Sequence, residues 1–331
     1  MPLSPVRQEV MLSMEADVAG FMHKYLIPIE KIWQPADFLP DPKADDFTEQ
    51  IRTLQGEARE LEYDFWIVLI GDMITEEALP TYESWLMGVR GIDQNGRNAW
   101  SEWIRNWTAE ENRHGDVLNK YLYLSGRVNM RQVEISTQYL LADGFDLGLD
   151  EDPYRNFVYT SFQELATHIS HKRVGELAAK QGNNLLARIC RTVAGDEMRH
   201  HLAYREFVKR IIEVDPSELV SVFADMMKKK IAMPANLLRQ AGEAVGQSFQ
   251  GFADAAQKLG VYTADDYVQI LKVLLAHWEI GRLGGLNERA EKARDYLMAL
   301  PGRLEKLSAR VQGVTAAAAT RQFGWVDPWG A

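Results

Sequence analysis

The motif Glu-x-x-His occurs twice in this chain of 331 residues, as Glu111-Asn-Arg-His114 and as Glu197-Met-Arg-His200. Residues three positions apart lie on the same face of an α-helix, so each motif can offer a carboxylate and an imidazole to one metal ion. An isolated glutamate precedes each motif: Glu76 lies 35 residues before the first, and Glu164 lies 33 residues before the second. These gaps suit two antiparallel helix pairs. The sequence therefore predicts four helices that converge on a metal site.

Four helices with these side chains can close around two metal ions, as they do in di-iron and di-manganese helical bundles. Four ionised glutamates would balance the charge of two divalent cations, whereas the same carboxylates without metal would be very costly to bury in an apolar bundle. Imidazole and carboxylate ligands suit iron better than they suit a soft copper site. The pattern therefore predicts two iron ions per chain, with open coordination positions for O2.

The residues next to the motifs leave the exact ligands open. Glu77 adjoins Glu76, and Glu110 adjoins Glu111, so either neighbour could be the true ligand or a solvated charge. The three-residue spacing to His114 favours Glu111 over Glu110. Three further histidines lie near the ligands. His168 and His171 follow Glu164 and are either metal ligands or residues without a role in metal binding. His201 adjoins His200 but is out of helical phase with it, so we expect it to be structural.

The chain as a whole has the pattern of an all-α protein. Apolar residues recur at three- and four-residue spacing, internal prolines and glycines are few, and the strand signal is weak. The pattern predicts helices over 54–87, 100–124, 153–180, 184–213, 217–230, 234–259, 263–280 and 286–312. Pro80 should kink or divide the first of these. We expect one domain over residues 1–312 and a tail over 313–331 that is loosely ordered or packed on the surface.

Composition and charge exclude several classes of protein. No run approaches the roughly 20 apolar residues that a membrane-spanning helix needs, and the N-terminus lacks the pattern of a secretory signal. A single cysteine, Cys190, excludes an intramolecular disulfide and cysteine-rich zinc or iron–sulfur sites. It also suits the reducing cytoplasm, where we expect the protein. The net charge of −10 argues against general nucleic-acid binding.

Over roughly residues 10–310 the sequence resembles the soluble acyl-carrier-protein desaturases of plant plastids and their actinobacterial relatives. The segments that carry the resemblance are 33–42, 71–80, 107–114, 119–127, 159–164 and 196–200. The resemblance implies a ferritin-like di-iron four-helix bundle with additional helices, about eleven in total, in a protein that is usually homodimeric. It selects Glu76 over Glu77, and the implied iron ligands are Glu76, Glu111, His114, Glu164, Glu197 and His200.

The resemblance also implies roles for residues around the irons. Asp196 would hydrogen-bond a ligand histidine and so fix its tautomer and basicity. Trp33 would lie on the electron route to the irons, and Thr167 would handle protons beside the O2 site. Trp85 falls on the helix face that lines the acyl tunnel, where the family would have a smaller side chain. Core packing is the alternative interpretation of Trp33 and of Trp107.

The activity that the resemblance implies is the O2-dependent introduction of a cis double bond into a saturated fatty acyl chain on acyl carrier protein, with electrons from ferredoxin. The alternatives are a related di-iron oxygenase or hydroxylase with another substrate, and a ferritin-like iron oxidase. Because the carrier and this chain are both acidic, association needs a concentrated basic surface. The candidate residues for it are Lys31, Arg199, Lys228, Lys229 and Lys230, although most lysine runs of this kind are only solvated faces.

Overall fold

The computed structural model of the protein describes residues 5–93, 95–145, 147–315 and 321–326. The described residues form α-helices and short 3-10 helices. They contain no β-strand, only an isolated bridge between Val128 and Val326. The α-helices are α1 (Pro5–Ser13), α2 (Glu15–Tyr25), α3 (Phe47–Arg59), α4 (Tyr63–Glu77), α5 (Leu79–Met87), α6 (Ala99–Ser125), α7 (Met130–Asp143), α8 (Pro153–Lys180), α9 (Asn184–Val214), α10 (Pro216–Lys229), α11 (Phe249–Leu259), α12 (Ala264–His277) and α13 (Glu288–Thr315). The predicted all-α fold is confirmed.

The helices that carry the two motifs begin and end where local sequence signals place them. The side chain of Asn98 accepts a hydrogen bond from the backbone amide of Ser101 and caps α6, and Gly126 ends α6 in the left-handed conformation with φ of 66°. Asp152 caps α8, whose first residue is a proline. Asn183 caps α9 in the same way as Asn98 caps α6. These caps fix where the metal-site residues fall along each helix.

Two of the predicted helices differ from the structure. The stretch 54–87 is divided twice, at Glu60–Glu62 and at Ala78, and only the second break was expected from Pro80. The predicted helix over 234–259 is wrong for its first half, where a short 3-10 helix and a loop precede α11. Gly242 and Gly246 in that loop have φ of 82° and 77°, which a right-handed helix cannot contain.

A bundle of α4, α6, α8 and α9 forms the centre of the molecule. α8 packs along α9, α4 packs on α6, and the two pairs meet through contacts of α6 with α9 and of α4 with α8. In α4 every residue from Asp64 to Ile74 is buried, because this helix is apolar on nearly all sides and other helices surround it. None of the helices in the described ranges is long and apolar enough to span a membrane.

The described part of the C-terminal tail, residues 321–326, packs against the body of the protein. Phe323 and Trp325 are buried and stack on each other. The indole N–H of Trp325 donates to the hydroxyl of Ser136 on α7, at 2.8 Å. Residues 316–320 and 327–331 of the expected tail lie outside the described residues, so the division into a domain and a tail stays a prediction.

Candidate metal centre

The structure brings the six predicted ligands together inside the bundle. Glu76 lies in the last turn of α4, and the other five lie on α6, α8 and α9. They form two groups, in each of which one potential ligand atom per residue lies within 4.8 Å of the others. The first group is Glu76, Glu111, His114 and Glu197, and the second is Glu111, Glu164, Glu197 and His200. Two glutamates are common to both groups, so the arrangement fits two adjacent metal ions that share carboxylate ligands.

The inward-facing atoms of these residues have the character expected of metal ligands. His114 Nδ1, His200 Nδ1, Glu111 Oε1 and Glu197 Oε1 are buried, and none makes a hydrogen bond. His114 Nδ1 nevertheless lies 3.0 Å from Glu197 Oε1, and His200 Nδ1 lies 2.5 Å from Glu111 Oε1. Buried polar atoms without partners are rare because each is costly. Metal cations among them would satisfy all four, so the residues present fit a dinuclear centre.

The outward-facing nitrogens of both histidines are held by carboxylates. His114 Nε2 lies 3.3 Å from Asp196 Oδ2, and His200 Nε2 lies 3.1 Å from Glu110 Oε2. Such partners orient the imidazole ring and fix which nitrogen is free for the metal. The guanidinium of Arg199 connects the two carboxylates, since it donates to Asp196 at 2.6 Å and to Glu110 at 2.7 Å.

Glu110 is therefore neither a ligand nor a solvated charge, the two alternatives that the sequence left open. It is 2% exposed, supports His200, and also accepts a hydrogen bond from the backbone amide of Ile27. Sequence reasoning missed this role, although a signal was present. Both motifs read acid-Glu-x-Arg-His, so Glu110 occupies the position in the first motif that Asp196 occupies in the second.

Two tryptophans contact the centre from different sides. Trp33 donates its indole N–H to Asp196 at 2.9 Å and lies parallel to the ring of His114, with 6.1 Å between centroids. It is only half-buried, so it extends from this ligand towards the surface. Trp107 is buried and donates its indole N–H to Glu164 Oε1 at 3.2 Å. Core packing alone thus does not describe either residue.

The remaining histidines lie outside the two metal groups. His171 Nε2 lies 2.9 Å from Glu76 Oε1 and supports that carboxylate from behind. His168 Nδ1 lies 2.7 Å from the carbonyl oxygen of Ala194. His201 is buried with its Nδ1 2.8 Å from the carbonyl oxygen of Ser161, and burial lowers its pKa to about 4, which fits a structural role.

Thr167 lies one turn after Glu164 on α8, and its hydroxyl contacts the centre directly. It donates to Glu197 Oε2 at 2.5 Å, and its oxygen also lies 3.0 Å from the backbone carbonyl of Glu164. Glu197 is one of the two carboxylates that both metal groups share. The hydroxyl of Thr167 is therefore one hydrogen bond away from a carboxylate that belongs to both groups.

Without metal, protons balance the buried carboxylates. Burial alone would lower the pKa of His200, but the charge of Glu111 and the hydrogen bond to Glu110 raise it to about 9. Burial would also lower the pKa of His114. The charge of Glu111 and the hydrogen bond to Asp196 have a larger effect in the opposite direction, so the pKa of His114 is well above its usual value. The pKa of Glu164 is raised well above its usual range by burial and by the nearby carboxylates. Metal binding must therefore displace protons.

The residues predicted to bind acyl chain or carrier protein lie outside the two groups of metal ligands. Trp85 on α5 is half-buried, and its ring packs edge-on against Tyr159 with 5.5 Å between centroids. Lys31 is exposed at the end of a short 3-10 helix, two residues before Trp33. At the exposed end of α10, Lys228 pairs with Asp225 at 3.1 Å, and the two lysines that follow it are also exposed: Lys229 and Lys230.

Arg199, one of the candidate residues for a basic surface, is held mainly by groups of the protein itself. Its guanidinium is held by Asp196 and Glu110 and by the backbone carbonyl of Tyr25, and the side chain is 24% exposed. The physical reason is that two buried carboxylates, each already holding a histidine, attract the nearest cation inward. A part for Arg199 in carrier binding stays a prediction.

Comparisons with known proteins agree with this geometry. The family model described as fatty acid desaturase matches residues 6–327. The chain is 47% identical to the chloroplastic stearoyl-[acyl-carrier-protein] 9-desaturase of Ricinus communis over 98% of this chain and 82% of that protein. It is also 47% identical to stearoyl-[acyl-carrier-protein] 9-desaturase 1 of Arabidopsis thaliana, over 98% of this chain and 83% of that one. The chloroplastic acyl-[acyl-carrier-protein] desaturase of Cucumis sativus is 46% identical over 98% and 82% of the two chains.

Among solved structures, the fold resembles that of the putative acyl-ACP desaturase DesA2 from Mycobacterium tuberculosis H37Rv. The TM-score is 0.51, and the match covers 86% of this chain and 99% of that chain. The sequences are 16% identical, so this likeness concerns the fold alone.

Proposed function

This chain belongs to the fatty acid desaturase family, and we propose that it introduces a cis double bond into a saturated fatty acyl chain carried on acyl carrier protein, using O2. The observation that carries the proposal is the convergence of six carboxylate and imidazole side chains into two adjacent groups that share Glu111 and Glu197. Its support beyond the site is the identity of 47% to stearoyl-[acyl-carrier-protein] 9-desaturases over nearly the whole chain.

In this proposal the residues of the centre hold two iron ions. Glu76 and His114 would hold one ion, Glu164 and His200 the other, and the shared glutamates would bind both. When bound, the irons supply the activation of O2 that removes one hydrogen from each of two adjacent methylene carbons. The protein fixes the ligands by hydrogen bonds from outside and keeps the surroundings apolar, since the bundle buries its aromatic and aliphatic side chains around the six residues.

The reaction consumes two electrons and two protons besides the acyl chain and O2, because O2 leaves as two water molecules. We assign the electron supply to ferredoxin, with Trp33 as the entry point, since its indole joins the half-exposed surface to Asp196 and His114. We assign proton transfer to Thr167, whose hydroxyl donates to the shared ligand Glu197. Trp85 would narrow the acyl site and set the preferred chain length. The protein would act as a homodimer.

The test uses the whole protein loaded with iron and reduced, then incubated under O2 with acyl carrier proteins that bear chains of different length. We expect about two irons per chain and, by mass spectrometry, products that have lost two hydrogens. Products that have gained an oxygen atom instead would identify a hydroxylase. Iron oxidation with every acyl chain unchanged would identify an iron oxidase. The same series on Trp85→Ala should favour longer chains, and an unchanged profile would place Trp85 outside the acyl site.

Variants connect this activity to the ligands. Glu111→Ala and His200→Ala should each lose iron and activity, because each substitution removes the ligand atom that the residue would offer to a metal ion. Glu77→Ala is the matched control, since Glu77 adjoins a ligand in sequence but belongs to neither group in the described structure. Full iron content and activity in the first two variants would reject the proposed centre.

A further inference from the structure

An unbroken series of aromatic rings leads away from the centre on the side of Glu164 and His200. Trp107, whose indole N–H donates to Glu164, lies edge-on to His200 with 6.4 Å between ring centroids. The same ring lies 6.3 Å from Tyr204 on α9, and Tyr204 lies 5.7 Å from Trp103 on α6, both at nearly right angles. Trp103 and Trp107 are four residues apart and therefore share one face of α6.

Two polar atoms in this series are buried without a hydrogen bond. They are the indole Nε1 of Trp103 and the hydroxyl of Tyr204, in side chains that are 1% and 0% exposed. The Trp103 N–H lies beside the Tyr204 hydroxyl, but the two do not have hydrogen-bond geometry. Leaving a buried polar group unpaired costs about 1–3 kcal/mol. Phenylalanine in place of Tyr204 would fill almost the same space without this cost, so packing alone does not account for a tyrosine there.

Tryptophan and tyrosine differ from phenylalanine in one further property, which is that their rings give up an electron to a strong oxidant. An unpaired buried polar group in a native protein is also one of the features that can mark a redox role. The series begins at a residue that touches a metal ligand. It is therefore placed to exchange electrons with the centre.

We propose, on the basis of the desaturase function above, that Trp103, Tyr204 and Trp107 carry an oxidising equivalent away from the metal centre when O2 reacts there without an acyl chain. One electron moves from the indole of Trp103 through Tyr204 and Trp107 to the centre. Trp103 is oxidised to its radical cation and keeps its N–H proton, while the oxidant derived from O2 is reduced by one electron. A one-electron donor then refills Trp103: ascorbate in the experiment, and the electron-donor protein during turnover.

The experiment uses the iron-loaded, reduced protein, exposed to O2 without acyl substrate and frozen at short times. Electron paramagnetic resonance should show a transient tryptophan radical, whose lines narrow when the protein contains ring-deuterated tryptophan. Trp103→Phe should lose most of this signal and should lose activity faster for each O2 consumed. Trp66→Phe is the matched control: Trp66 is equally buried and its indole Nε1 also has no partner, but in the described structure it forms no aromatic ring pair with any of the three. That variant should keep the signal.

A measurement on the unmodified protein keeps the test valid if Trp103→Phe does not fold. After repeated exposure to O2 without substrate, peptide mass spectrometry should find oxidation products at Trp103 well above those at Trp66, and ascorbate should suppress them. No organic radical, an equal signal in Trp103→Phe, or equal oxidation at the two tryptophans would each overturn the proposal. The same preparation is assayed with acyl carrier substrate: desaturation without a radical rejects only this inference, whereas absence of iron and desaturation rejects the proposed function.

Discussion

Asp196 and Glu110 each hold the histidine that belongs to the other motif. Asp196 precedes the second motif and bonds His114 of the first, while Glu110 precedes the first and bonds His200 of the second. The two halves of the site therefore orient each other, and Arg199 joins them. Loss of either carboxylate should disturb the histidine on the opposite helix.

This reciprocity predicts that Asp196→Asn and Glu110→Gln each weaken iron binding roughly 10- to 100-fold, because partners of metal-bound histidines contribute that much. Competition with a chromophoric chelator measures the affinity. Asp116→Asn is the matched control, since Asp116 lies on α6 like Glu110 but is exposed and pairs with Lys120. Unchanged affinity in both test variants would show that the histidines hold their orientation without these carboxylates.

Thr167 gives a prediction that separates proton transfer from packing. Thr167→Val keeps the shape of the side chain but removes the donor to Glu197, so we expect normal iron content with turnover slowed by roughly 10²-fold, at the low end of general acid–base effects. Thr167→Ser should restore much of the rate. Thr160→Val, which removes a hydroxyl that bonds only the backbone carbonyl of Asn156, should leave turnover unchanged. If Thr167→Val turns over normally and forms no extra peroxide, the hydroxyl only packs.

The protons held by the metal-free centre predict how metal uptake depends on pH. The pKa of His200 is about 9, so below that pH its ring carries a proton that must leave before Nδ1 binds a metal. Affinity for Co2+ should therefore fall as pH falls from 9 to 6, by about tenfold per pH unit for each proton displaced. Titration calorimetry in buffers of different ionisation enthalpy measures both the affinity and the protons released. Affinity that stays constant over this range would contradict the raised pKa.

At the level of residues, sequence spacing predicted which side chains converge but not what holds them. Helical periodicity defines the face on which Glu111 and His114 lie, and the structure brings both into the first metal group. Whether the adjacent Glu110 turns towards solvent or back onto another helix depends on how α6 and α9 pack. That information is not local, so the role of Glu110 could not be read from α6 alone.

At the level of helices, the sequence predicted best those with strong local signals. α6, α8 and α9 have side-chain caps at their first turn, and their predicted bounds agree with the structure to within about one residue. The break at Glu60–Glu62 contains no proline or glycine, so the local sequence does not predict it. In the loop before α11, Gly242 and Gly246 adopt positive φ and interrupt the predicted helix, which becomes regular only from Phe249.

The described segment 321–326 makes a prediction about stability. Trp325 is fully buried against α7 and is far in sequence from the residues of the candidate metal centre. Trp325→Ala should therefore lower the free energy of unfolding by about 3–5 kcal/mol without changing iron content. Trp325→Phe should cost less, because it keeps most of the packing and loses the bond to Ser136. Tyr123→Ala, at a side chain that is 67% exposed, is the control. Urea denaturation measures all three, and an unchanged midpoint in Trp325→Ala would show that the segment adds nothing to the fold.

For the whole molecule, the question is how an acidic chain would recruit an acidic carrier. The net charge is −10, so any attraction must come from a local group of cations. Arg199 is a poor residue with which to test this, because its guanidinium lies between Asp196 and Glu110. A negative charge there would repel both carboxylates and disturb the histidines, so a loss of activity would not report on docking. Lys31 is exposed close to Trp33 in sequence and makes no ion pair in the described structure.

We therefore predict that Lys31→Glu raises KM for the carrier-bound substrate several-fold and changes kcat much less, because an exposed charge acts on association and not on the chemical step. The KM of the unmodified protein should also rise with salt, since exposed charges are screened over about 8 Å at physiological ionic strength. Lys306→Glu makes the same charge change at another exposed lysine, on α13, and should leave KM near its original value. Changing Lys228, Lys229 and Lys230 together to glutamate tests in the same way whether the end of α10 binds the carrier; if it does, KM should rise. A KM that ignores salt and all of these substitutions would mean that the carrier binds through a different surface, or that the acyl chain arrives without a carrier.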